Sequence, residues 1–506
     1  TTMLLLRSAQ LRYSLSTMAH RSASSFFLAA LLGAFLLWGC VGTVHAQPSD
    51  APSALASEID GLIRAHNASA PAFWGVHVVN AEDGEVLYSH QGDRRFIPAS
   101  TQKLLTTSTA LDRLGSSYRY ETELHFNGTT EDGVMRGDLT LRGSGDPTFG
   151  STELRQRDPL QQWAEQLAEQ GVERIEGRLI GDARRFDGVA YPEGWDIGYV
   201  TRQASRYIGT ASSALSYSDN VMSVQIRATE PGQRPQLRAY PNDAVTLNNE
   251  AVTSSRWRGN ALQLDRSFES NTIRLHGSVA RSYIGTVNVP VTEPTDFATR
   301  SLVLALEEAG ISTSLTRVDA DTLDPVPERG SLLFVSLSPP LADIVALINK
   351  KSNNFYAEQV LRTIGWGGSV KGGAQRIEQF LRRAGASRRA AVHDGSGLSR
   401  RNLVAPSTLT SLLRYMDTHA EAEAFRASMA TSGERNTTME YRLSRYPVRA
   451  KTGSLRYVRA LSGYAERPNG ERVVFSLIAN NYEGGSYRVR RTMDEIVKTL
   501  TQSTVL

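Results

Sequence analysis

The two ends of this chain read as halves of one β-sheet. Near the start, residues 73–79 and 85–90 alternate as strands around Asp83-Gly84, a hairpin signal. Near the end, 448–453, 457–466 and 472–480 form a three-strand meander whose second turn is Pro468-Asn469-Gly470. Amphipathic helical spacing flanks both ends, over 54–66 and 486–501. A sheet completed by the first and last segments forces everything between them to be an insertion. The fold class this predicts is α/β (α+β): an antiparallel sheet flanked by helices, with large α/β and β inserts.

The interior supports that division, because 506 residues exceed one ordinary domain. Strands at 120–127, 137–142 and 177–182 alternate with a helix at 159–170, as an α/β unit does. Residues 261–264, 272–276 and 285–291 are strand-like, then helix 297–310 and strand 311–318 return to the α/β unit. From 330 a strand at 332–337 precedes helices at 340–350, 355–364, 374–384, 407–419 and 421–429. The expected domains are a catalytic unit of 50–118 plus 330–506, an inserted α/β domain of 119–226 plus 291–329, and a small β subdomain of 227–290.

Residues 1–46 read as a secretory signal. Arg21 precedes an apolar run over 26–38, and Val44-His45-Ala46 offers a small-x-small cleavage site. The alternatives are a retained anchor or lipid attachment at Cys40. The run is short for a spanning helix of about 20 residues, so no stable membrane anchor is expected. The chain opens with Thr1, so Met3 or Met18 is a candidate start. Arg7, Arg12 and Arg21 lie in this segment without any acid, which leaves 53 basic against 52 acidic residues in the remainder. That balance leaves no nucleic-acid footprint. Cys40 is the only cysteine, so a chain starting at Gln47 has no disulfide and no thiolate nucleophile or metal ligand. No paired histidines at helical spacing suggest zinc, and no Gly-x-Ser-x-Gly elbow occurs. No metal and no cofactor are expected.

Three short patterns carry chemistry. The first is Ser100-Thr101-Gln102-Lys103, opening a helical run over 104–114. Spacing of three puts Ser100 and Lys103 on one helix face. A serine becomes a nucleophile when a neighbouring base takes its proton, and a lysine can be that base once its surroundings make it neutral. The bland reading is an N-cap serine. Lysine usage favours the chemistry: only six of the 56 basic residues are Lys, and arginine cannot give up its proton. The second pattern is Ser352-Asn353-Asn354, between two helices, where Ser352 can relay a proton and Asn354 can bind an amide. Capping is its bland reading, and Ser218-Asp219-Asn220 is a decoy in the insert. The third is Lys451-Thr452-Gly453-Ser454 at a strand end. Lys451 offers charge to a carboxylate, Thr452 a hydrogen bond, Gly453 close backbone approach, and the strand edge at Ser454 an N–H for an oxyanion. Its bland reading is a strand running into a turn. In this order the three match the pattern of penicillin-recognising serine enzymes.

With these motifs, with Lys350-Lys351-Ser352-Asn353-Asn354-Phe355-Tyr356-Ala357-Glu358-Gln359 and with Asp394-Gly395-Ser396-Gly397-Leu398-Ser399, the chain resembles the class C low-molecular-mass penicillin-binding proteins of the PBP4 type, peptidase family S13. Roughly 250 residues separate Ser100 from Ser352, and that family carries a large insert there. The resemblance covers most of 50–506. It implies a penicillin-recognising serine transpeptidase-like domain acting as a D-alanyl-D-alanine carboxypeptidase, a cross-link endopeptidase, or both. It implies Ser100 as nucleophile, Lys103 as base, Ser352 as proton relay, and Asn354, Lys451, Thr452, Gly453 and Ser454 around the substrate. The implied partners are peptidoglycan stem peptides, with β-lactam antibiotics as covalent inhibitors, in the periplasm or cell envelope. Two alternatives are a β-lactamase or esterase of the same superfamily and a non-catalytic wall-binding protein.

Overall fold

The computed structural model describes residues 53–154, 157–201, 209–240, 244–268, 270–386 and 390–502. The signal expected at 1–46 lies outside them. No helix among the described residues is long and apolar enough to cross a membrane.

A six-stranded antiparallel sheet joins the two ends of the chain. Its order is Ala430–Thr431, Val448–Leu455, Val458–Glu466, Arg472–Asn480, Phe73–Asn80, Val86–His90. The N-terminal strand pairs along its whole length with the C-terminal one, with Val76 opposite Leu477 and Phe73 opposite Asn480. Period-two alternation sends successive side chains to opposite faces, and here both faces are covered. Val473, Phe475, Leu477 and Ala479 meet Leu55, Ile59 and Ile63 of helix Ala54–Ser69 and Val489, Met493 and Ile496 of helix Ser486–Gln502. Val474 and Ile478 point the other way, into a core with Leu104, Leu105 and Leu111 of helix Gln102–Leu114 and with Phe355, Val360 and Leu412.

Helix Gln102–Leu114 is buried along most of its length despite four consecutive hydroxyl residues. Thr107, Ser108 and Thr109 donate to the carbonyls of Lys103, Leu104 and Leu105, four residues back, at 2.6–2.8 Å. Those bonds satisfy polar groups that would otherwise be costly to bury. The helix stops at Gly115, whose φ of +79° suits a residue without Cβ.

The insert carries a second sheet. Its strand order is Ser312–Asp319, Arg174–Asp182, Val134–Arg142, Glu121–Glu131, Ser331–Leu337. The first three run parallel, and helices Pro159–Glu169 and Pro294–Glu308 contribute Leu160, Trp163, Phe297 and Leu302 to its core. The strand near 332–337, counted with the C-terminal unit on sequence, pairs antiparallel with Glu121–Glu131 and so lies in the insert's sheet. The β part holds a three-stranded sheet of Ile284–Pro290, Val221–Arg227 and Gln236–Tyr240, so it starts before residue 227, and two smaller sheets within 246–280. Val224, Ile226 and Val289 share one apolar core with Leu139, Leu179 and Phe297 of the α/β part.

Candidate active site

Ser100 sits in a 3-10 turn, Ala99–Thr101, that feeds helix Gln102–Leu114. Ala99 adopts φ +48°, an uncommon conformation for a residue with a Cβ. The turn is fixed from two sides. Thr101 Oγ1 donates to the Pro98 carbonyl at 2.8 Å. Asn480, at the end of the C-terminal strand, bonds the Ile97 backbone twice, at 2.8 and 3.1 Å. The last strand of the chain therefore pins the segment that leads into Ser100.

Lys103, one turn on, is buried. Its Nζ donates to Ser100 Oγ at 3.2 Å, Asn354 Oδ1 at 2.6 Å and the Ser396 carbonyl at 2.5 Å. Ser352 ends helix Leu341–Lys351 in the left-handed conformation, φ +60°, and Asn353 caps helix Asn354–Ile364 by accepting from the Tyr356 N–H at 3.0 Å. The capping reading of the second motif thus describes Asn353, while Ser352 and Asn354 face the cleft's two lysines. Ser352 Oγ accepts from Lys451 Nζ at 3.0 Å.

Lys451 is buried in strand Val448–Leu455 and also donates to the Thr452 carbonyl at 2.8 Å. Gly453 lies on the same strand face, where a Cβ would come within 2.8 Å of the Pro98 carbonyl oxygen. The strand edge is free where it is needed: Ala430–Thr431 pairs only with Arg449 and Ala450. Thr452 is half-buried and Ser454 exposed. The Ser454 hydroxyl accepts from Arg459 Nη1.

Two buried carboxylates behind Lys103 were not singled out in the sequence. Glu358 accepts from the Gly395 N–H at 3.0 Å and the Ser396 N–H at 2.8 Å. Asp394 accepts from the N–H groups of Gly397 and Ser399 at 2.7 and 2.6 Å, Asn402 Nδ2 at 2.6 Å and Trp195 Nε1 at 2.9 Å. Together they clamp the loop that presents the Ser396 carbonyl to Lys103. Glu358 follows Asn354 by four, so helical spacing was a usable signal. Nothing in the sequence linked Trp195, in the insert, to Asp394. Leu398 is buried beside Ala99.

The electrostatics set the two lysines apart from ordinary ones. Burial drives Lys103 down to about 7, against the opposing pull of Asp394 and Glu358. Burial first, then the charge of Lys103, holds Lys451 well below the usual lysine range. Burial, then Asp394, pushes Glu358 up to about 7. A site with an amine poised near neutrality beside a hydroxyl can run base-assisted acyl transfer. The decoy is structural: Asn220 donates to the Ala211 carbonyl and Ser216 Oγ at 2.8 and 2.9 Å. Among the described residues, no group of three or more His, Cys, Asp or Glu is placed to hold a metal.

A sheet flanked by helices, with this Ser-Lys, Ser-Asn and Lys-Thr-Gly geometry at its edge, defines a penicillin-recognising serine hydrolase. The chain belongs to the D-Ala-D-Ala carboxypeptidase 3 (S13) family, whose model matches residues 55–503. Its activity class is serine-type D-alanyl-D-alanine carboxypeptidase. A D-alanyl-D-alanine carboxypeptidase of Actinomadura sp. is 31% identical over 453 residues, 85% of this chain and 81% of the relative. The D-alanyl-D-alanine carboxypeptidase DacB of Haemophilus influenzae is 26% identical over 421 residues, 80% and 85% of the two chains. In fold, the chain is similar to the crystal structure of penicillin binding protein 4 from the same organism, with TM-score 0.74, 24% identity, and 87% and 99% of the two chains covered.

Proposed function

We propose that Ser100 is the nucleophile of this carboxypeptidase and Lys103 its general base. The observation that carries the reading is the buried Lys103 Nζ, 3.2 Å from Ser100 Oγ and lowered to about 7 by its surroundings. Ser100 Oγ attacks the carbonyl of the penultimate D-alanine of a peptidoglycan stem peptide as Lys103 takes its proton. The backbone N–H groups of Ser100 and Ser454 hold the oxyanion. Ser352, bonded to Lys451, passes a proton to the leaving amine. That amine belongs to terminal D-alanine, or to a neighbouring stem peptide when a cross-link is cut. Asn354 binds the substrate amide, Lys451 and Thr452 hold the terminal carboxylate, and Gly453 admits the substrate backbone. Water then releases the acyl group. A β-lactam enters the same path, opens on Ser100 and stays attached.

The cell envelope is the compartment where such stem peptides occur. An N-terminal signal over 1–46 that delivers the chain to the periplasm fits its Arg21, apolar run and small-x-small site. The sheet pairings support a catalytic unit built from both chain ends, with residues near 119–337 as the insert.

Fluorescent penicillin tests this reading. The wild type should retain the label covalently and release D-alanine from a pentapeptide, and Ser100→Ala should do neither. Label retained by the Ala variant would remove Ser100 from its role. Rapid antibiotic turnover without retained label would make the protein a β-lactamase.

A further inference from the structure

The sheet of Ile284–Pro290, Val221–Arg227 and Gln236–Tyr240 has one face on the apolar core and the other in water. Residues directly opposite one another share a face. The outward rows are Ile284, Arg227 and Gln236, then Thr286, Gln225 and Arg238. Ile284 is 76% exposed. At this end of the sheet the loops are tied together. The Arg281 N–H donates to the Arg256 carbonyl at 3.0 Å, and Ser282 Oγ to the Trp257 carbonyl at 2.8 Å. The Arg281 guanidinium lies 3.5 Å from the centroid of the Trp257 ring, which is itself 64% exposed. The turn carrying Arg234 joins them, through bonds of 2.8 Å between Gln233 and Thr253 and between Gly232 and Thr253.

One end of the insert thus exposes Arg227, Arg234, Arg238, Arg256, Arg258 and Arg281 around Trp257 and Ile284. Glu230 is the one acid in the three loops, 228–235, 254–260 and 281–283. At the far end of the sheet Tyr240 meets Glu308, and the neighbouring Glu250 and Asp265 are paired with Arg274 and His276. Residues 47–506, this patch included, carry 53 basic against 52 acidic residues, so the patch is a local excess of positive charge.

We propose that this end of the insert is a contact surface for an anionic phospholipid bilayer. Arginines reach lipid phosphates while their stems lie along apolar surface. A tryptophan is at home at headgroup depth, and an exposed isoleucine beside it gains by entering the acyl boundary. A water-soluble polyanion would satisfy the arginines and leave Ile284 in water. None of these residues is among those bonded to Ser100, Lys103, Ser352 or Lys451, so the surface would seat the enzyme without using its site residues.

The chain from Gln47 onward, free of the apolar N-terminal run, is mixed with vesicles of phosphatidylcholine alone or with phosphatidylglycerol, and sedimented. Binding should require phosphatidylglycerol and weaken with salt. The triple variant Arg256→Gln, Arg258→Gln, Arg281→Gln should weaken binding about a hundredfold. Trp257→Ala with Ile284→Ser should weaken it while keeping the salt dependence. Both variants should retain wild-type penicillin labelling, which also shows that they fold. The proposal is overturned by equal binding to both vesicle types, by no binding to either, or by variants that bind as the wild type does. Heparin capture insensitive to Trp257→Ala with Ile284→Ser, without vesicle binding, would reassign the patch to a soluble polyanion.

Discussion

Lys451 Nζ stands 3.0 Å from Ser352 Oγ, so residues 99 positions apart share one partly buried hydrogen bond. The lysine is buried, and the other influence on it is the repulsive charge of Lys103. An arriving carboxylate supplies the missing opposite charge and favours the ammonium form.

Lys451→Ala should therefore cost substrate recognition. Removing one partner of a buried charge pair costs about 2 kcal/mol or more, some thirtyfold in kcat/KM. The measurement is penicillin acylation rate, with the antibiotic's methyl ester as control. The ester should lose less of its rate than the free acid, because it lacks the charge that Lys451 would hold. An ester as sensitive to the substitution as the free acid would place the carboxylate elsewhere.

Lys103→Arg imposes a permanent charge and removes the proposed base. Arginine stays protonated, and general-base removal costs about 10²–10⁴-fold in rate. Stopped-flow acylation should show a loss in that range, with the variant's thermal unfolding tracked to confirm that it folds.

Lys103 also sets a pH limb. Its amine is neutral above about 7 and protonated below, so acylation should fall about tenfold per pH unit on the acid side. The Glu358 carboxylate raises the Lys103 value. Glu358→Gln removes that charge and keeps an acceptor for the 395–396 backbone, so the limb should move to lower pH. A limb that stays in place, or moves up, would contradict the electrostatic role of Glu358.

Gly397→Ala probes the loop itself. Gly397 has φ +87°, and a Cβ there would lie 1.9 Å from the Ala99 carbonyl oxygen. Strain of this kind costs about 1–3 kcal/mol, and the carbonyl struck belongs to the residue before Ser100. A lowered unfolding temperature and slower acylation should appear together. Unchanged stability would show that the loop and the Ser100 turn are not in contact.

Local signals carried most of the elements. Strand Arg472–Asn480 and helix Gln102–Leu114 are legible because apolar periodicity and a terminal Gly115 are properties of adjacent residues. The motif residues were legible because lysine is scarce. What the sequence hid is pairing at a distance. Strand Ser331–Leu337 looks the same whichever sheet takes it, and its partner lies about 200 residues upstream. The hydrogen bond from Trp195 to Asp394 spans the insert and the loop behind Lys103, and no periodicity announces it. The depressed Lys103 value arises from burial by surrounding segments, which no spacing rule contains.

The pairing of Phe73–Asn80 with Arg472–Asn480 imposes an order on events. The Ser100 turn and its helix are synthesised long before strand Arg472–Asn480 beside them and the Asn480 side chain that pins their approach. A partly made chain has Ser100 but no platform to aim it. Activity is thus withheld until strand Arg472–Asn480 has been made, and a chain truncated before Arg472 would be inert with every motif residue present.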